Sequence, residues 1–150
     1  MALLTHDWAA WTLLDDVVGA LDLDQERNCS FVQLPEGPMF VAWPQGTEAK
    51  AAVLRTEFGE LIPDGAPVHL LGHPFSHEQW AARVQRPARD PLTVGETEGF
   101  ETRAGRFRHC VEEADGVLVA ARVRLGCPEC TQPRPTKGWE VQESCTPPRC

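Results

Sequence analysis

Apolar positions in residues 5–22 recur at intervals of three and four: Trp8, Trp11, Leu14, Val18 and Leu21, with Leu13 and Val17 widening the stripe. That spacing predicts an amphipathic helix, capped by Thr5 or Asp7 and burying both tryptophans. The period then changes. Two short apolar runs, 29–34 and 39–43, flank Pro35-Glu36-Gly37-Pro38 and predict a β-hairpin that Pro44 ends. Residues 47–61 fit two templates, with Ala51, Leu54, Phe58 and Leu61 at helical spacing and Val53, Arg55 and Glu57 in alternation. The helix formers in 48–52 favour a helix up to Phe58.

Pro63-Asp64-Gly65 marks a turn before a strand over 67–71. His69, His73 and His77 stand four apart, the spacing of metal ligands on one helix face, but Gly72 and Pro74 interrupt any such helix. Ser76 and Gln79 instead form a capping-box pattern for a helix over 77–85 that turns Trp80 and Val84 inward. After a loop over 86–98, residues 103–125 predict a second hairpin. A three-residue turn, Ala114-Asp115-Gly116, would pair Val111 with Val119, His109 with Ala121 and Phe107 with Val123, setting one apolar face inward. These elements predict an α+β fold: a small antiparallel sheet with two to three packing helices and a C-terminal cysteine cluster. Residues 1–126 form the body, and 127–150 a tail packed on it within a single structural domain.

Composition narrows the function. A chain of 150 residues with 42% hydrophobic content has enough apolar surface for one core. Its formal charge of -8 opposes a nucleic-acid partner, because such binding needs clustered Lys and Arg, and favours a neutral or basic protein. Apolar runs are too short for a membrane span, and the acidic residues among the first 23 do not suit a signal peptide. Six cysteines without such a signal imply an intracellular, reducing setting, in the cytoplasm or, for a viral protein, the host cytoplasm or nucleus. The absence of Tyr and scarcity of Lys, beside abundant Ala, Arg, Gly and Pro, suit a GC-rich genome, whether bacterial, phage or viral.

Chemistry is concentrated at the end of the chain. Cys127 and Cys130, separated by Pro-Glu, are answered by Cys145 and Cys150, the spacing of a tetrahedral thiolate site for structural Zn2+. His109 is the substitute ligand if Cys150 does not take part. The Cys127-Pro128-Glu129-Cys130 turn resembles the knuckle of zinc ribbons, although the second pair has four intervening residues instead of two. A disulfide or redox pair is the alternative state of these thiols. Four thiolates leave zinc no open position for water, so the reading leans away from an enzyme and towards a non-catalytic protein-interaction or regulatory module.

Two other readings stand beside it. Asn28-Cys29, followed by Ser30-Phe31-Val32, resembles the Asn-Cys motif of papain-like thiol hydrolases; that resemblance implies a Cys29 nucleophile with His69, His73 or His109 as base. Leu125, Cys127 and Glu129 match L-x-C-x-E, which is similar to the peptide by which DNA-virus proteins engage retinoblastoma-type pocket proteins. A zinc-bound Cys127 cannot also enter a partner's groove.

Overall fold

The helix expected over 5–22 gives way to extended chain in a computed structural model that describes residues 1–7, 14–84 and 100–126. Strands β1 (Thr5–His6) and β2 (Asp15–Asp24) occupy the described parts of that stretch, and Trp8 and Trp11 lie outside the described residues. The second half of β2 shows why. Leu21 and Leu23 are buried while Asp22 and Asp24 are not, an alternation of period two, and the β-branched pair Val17-Val18 followed by Gly19 is poor helix material.

The first hairpin forms, with a turn shorter than the four residues 35–38 expected for it. β3 (Cys29–Leu34) and β4 (Gly37–Pro44) pair antiparallel, with Leu34 opposite Gly37 across Pro35-Glu36. The helix expected over 48–58 is replaced by β5 (Glu48–Lys50) and β6 (Val53–Arg55), which form a three-stranded sheet with β7 (Leu61–Pro63). The reason is local: Ala51 and Ala52 both take positive φ, 51° and 62°, which reverses the chain where a helix would continue. The strand expected over 67–71 runs on as β8 (Pro67–Phe75), with an irregularity in its pairing at Leu71/Gly72. The capping box forms as read. In α1 (His77–Val84) the Ser76 amide donates to Gln79 Oε1 at 2.9 Å, and the Gln79 amide donates to Ser76 Oγ at 3.1 Å.

The second hairpin is not formed. Its first arm is helical, as α2 (Phe100–Gly105) and α3 (Arg108–Glu113), and only β9 (Val117–Leu125) is a strand. Phe107, Cys110 and Ala114 are buried and Val111 packs against them, a spacing of three, four and seven that satisfies a helix. β9 therefore pairs with other strands, antiparallel to β8 and parallel to β4.

Those pairings correct the expected α+β class, because the small sheet becomes a closed five-stranded barrel. The order β8-β2-β3-β4 is a Greek key, and β9 fills the gap between β4 and β8. Inward residues come from every barrel strand, among them Leu21, Val32, Val41, Trp43, Leu70, Leu118 and Val123, and Ala49, Leu54 and Ile62 of the small sheet join the same cluster. The Trp43 indole N–H donates to Ser30 Oγ at 2.7 Å, so the largest interior side chain is fully satisfied. A second cluster lies outside the barrel, where Phe31, Phe40 and Val119 meet Trp80, Ala104, Phe107 and Cys110 of the helical segment.

Closure depends on close approach at Gly72. A Cβ there would stand 2.6 Å from Val119 O and 3.1 Å from Leu118 Cδ1. Gly72→Ala is expected to lower unfolding free energy by about 2 kcal/mol, read from urea midpoints; an unchanged midpoint would contradict this packing.

Candidate functional site

The turn between β6 and β7 presents an aromatic side chain to solvent on a rigid support. The Thr56 amide donates to Glu60 O at 2.9 Å, the Gly59 amide to Thr56 O at 2.9 Å, and the Glu60 amide to Thr56 Oγ1 at 3.1 Å. Thr56 is buried, whereas Phe58 at the tip is 75% exposed; Val18, at 39%, is the other exposed large hydrophobic among the described residues. Phe58 borders a shallow groove of about 430 Å3 whose other walls are Thr56, Glu60, Arg122, Val123 and Arg124. Arg122 and Arg124 are exposed residues of β9, so barrel pairing fixes their backbone.

Glu60 ties the two sides of this groove together. Its Oε1 accepts the amide proton of Leu125 at the end of β9. Burial raises the pKa of its carboxyl, opposed by that amide and by the charge of Arg124. The result is an exposed aromatic side chain on a hydrogen-bonded turn beside two cations, a combination suited to an apolar side chain flanked by carboxylates. Sequence reasoning missed it by placing Phe58 in a helix. The available signal was Thr56-Glu57-Phe58-Gly59, where Gly59 takes a φ of 85° and breaks helical periodicity.

A second constellation joins β3 to α3. Cys29 and Cys110 are disulfide-bonded, with Cα atoms 5.5 Å apart and a sequence separation of 81. Both are fully buried. The exposed His109 ring donates from Nε2 to Arg27 O at 2.8 Å, and the same nitrogen lies 3.5 Å from Cys110 Sγ. In this geometry the Cys29 sulfur, the nucleophile of the thiol-hydrolase reading, is bonded to Cys110 and buried. His109 lies on a helix, not on the hairpin strand expected for it. No family model, curated protein or solved structure matches the chain.

The three spaced histidines do not converge. His69 Nε2 donates to Asp16 Oδ1 at 2.8 Å, the His73 ring packs edge-on against Phe75 with centroids 4.7 Å apart, and His77 Nε2 donates to Ala114 O at 2.6 Å. Cys127, Cys130, Cys145 and Cys150 lie outside the described residues, as do the loop over 86–98 and the tail. Of the L-x-C-x-E positions only Leu125 is described. It is buried in the barrel interior, where reaching a partner's pocket would require unpairing β9. Among the described residues no helix is long and apolar enough to cross a membrane.

Proposed function

We propose that the protein is a non-catalytic interaction module that engages another protein through Phe58, Arg122 and Arg124. A structural zinc on Cys127, Cys130, Cys145 and Cys150 completes the chain beyond the barrel. The observation that carries this reading is the exposed phenylalanine on a hydrogen-bonded turn: a backbone ordered before binding reduces the ordering cost of association. The two arginines give a local positive charge to a chain of net charge -8, so the partner surface is an apolar residue with neighbouring carboxylates. Oxidation of Cys29, the sulfur nominated as a nucleophile, also favours binding over covalent catalysis.

The test is quantitative recovery of partners from cells that natively express the protein. Phe58→Ala and the pair Arg122→Glu with Arg124→Glu should each reduce recovery of one specific protein about 10-fold or more. Phe58→Ala should leave the melting temperature nearly unchanged because its side chain is exposed, whereas the charge reversal removes the Arg124 cation that favours the Glu60 carboxylate and should lower it slightly. Equal recovery by wild type and both variants would remove this surface as the interaction site.

A further inference from the structure

We propose that reduction of the Cys29–Cys110 disulfide creates a second metal site, in which Cys29 Sγ, Cys110 Sγ and His109 Nε2 bind one zinc ion. The three ligand atoms all lie within 4.8 Å of one another. They come from two rigid elements, the start of β3 and the helix α3, which pack on the same cluster. Tetrahedral zinc needs two thiolate sulfurs about 3.8 Å apart, near the van der Waals separation that two released sulfurs adopt on a Cα spacing of 5.5 Å. The sulfurs are buried and the histidine is exposed, so the ion enters past His109 and the fourth position falls on the solvent side. This site uses none of the tail cysteines.

The redox steps balance with a low-molecular-weight thiol as reductant. Two reductant thiols are oxidised to their disulfide, the Cys29–Cys110 bond breaks, and each protein sulfur takes one proton. Zinc then displaces both protons as it bonds the two thiolates. His109 now donates from Nε2 to Arg27 O, so its ring proton must move through solvent to Nδ1 before the Nε2 lone pair can bind. The same sulfurs cannot be disulfide-bonded and metal-bound at once. Oxidised protein therefore holds the link between barrel and helix covalently, and reduced protein holds it through zinc.

The experiment uses the full chain with Cys127, Cys130, Cys145 and Cys150 all changed to Ser, reduced, desalted and titrated with zinc alone. Native mass spectrometry should show one zinc per chain, with Kd below about 0.1 µM by competition against a chromophoric chelator. Cobalt should give the thiolate charge-transfer band of a two-sulfur site. Reoxidation should abolish uptake, and His109→Ala should weaken it by more than the 10- to 100-fold typical of losing a supporting residue. Because His109 is exposed, that variant remains informative even if Cys29→Ser or Cys110→Ser does not fold. No uptake by the reduced four-serine protein, or uptake indifferent to oxidation or to His109→Ala, would overturn the proposal. One zinc on this variant and two on reduced wild type would support both centres, whereas one zinc on each would support this site while sinking the separate tail centre.

Discussion

Adding a thiol reductant together with a metal chelator is expected to lower the unfolding free energy by about 4 kcal/mol and the melting temperature by about 10 °C. The Cys29–Cys110 bond closes a loop spanning 81 positions, and restricting so long a segment removes much of the freedom of the unfolded chain. That loop contains β4, the small sheet, β8, α1, α2 and the start of α3. Both cysteines belong to the cluster that seats α3 on Phe40 and Val119, so cleavage loosens the helical segment first and leaves the barrel ladders intact. Urea unfolding with and without reductant measures the difference, and repeating it with the four tail cysteines changed to Ser isolates this bond. Identical midpoints, with Cys29 and Cys110 shown by labelling to be free thiols, would contradict the assignment. Added zinc restores part of the loss if the reduced pair binds it, about 2.7 kcal/mol at one hundred times Kd.

This linkage also marks the limit of what the sequence makes legible. Pairing of cysteines 81 positions apart is a tertiary fact with no local signature, and a nearby Cys-x2-Cys draws attention to the tail instead. Local chemistry can be read where it is decided locally. Ser76 and Gln79 specify the start of α1, and Pro35-Glu36-Gly37 specifies the first hairpin, because a few adjacent atoms satisfy each other there. The errors fall where two periods coincide. Leu14, Val18 and Leu21 fit a helix, yet Leu21 and Leu23 set against Asp22 and Asp24 fit a strand, and the barrel decides by supplying β3 and β8 on both sides. Phe107, Cys110, Val111 and Ala114 have the helical period, but Phe107, His109 and Val111 also alternate convincingly enough for a hairpin. The turn at Ala51-Ala52 has neither Gly nor Asn to announce its positive φ. That turn also takes Phe58 out of any helix and leaves it exposed.

Acidification from pH 6.5 to 4 is expected to remove about 3 kcal/mol of stability through His6 alone. β1 runs parallel to β4 beyond the point where β9 stops pairing with it: Thr5 and His6 lie opposite Trp43 and Pro44, whereas β9 covers Phe40 to Ala42. His6 fastens this seam. Its backbone carbonyl accepts from the Gln45 amide at 2.9 Å, and its ring donates from Nε2 to Ala120 O of β9 at 2.7 Å. Burial lowers the ring's pKa from 6.5 to about 4, helped by the Arg103 charge and opposed by the Ala120 hydrogen bond and by Asp7. The depressed value fixes the sign. Between pH 6.5 and 4 the unfolded chain holds the His6 proton and the folded chain does not, so acid draws the equilibrium towards unfolding. By pH 5 about 2 kcal/mol of the effect is expressed. His6→Gln retains a donor for Ala120 O but does not titrate, so its stability should fall less steeply over this interval while other acid-sensitive groups contribute equally to both proteins. Superimposable pH profiles for wild type and His6→Gln would mean that the seam is open to water and that the ring is not buried as described.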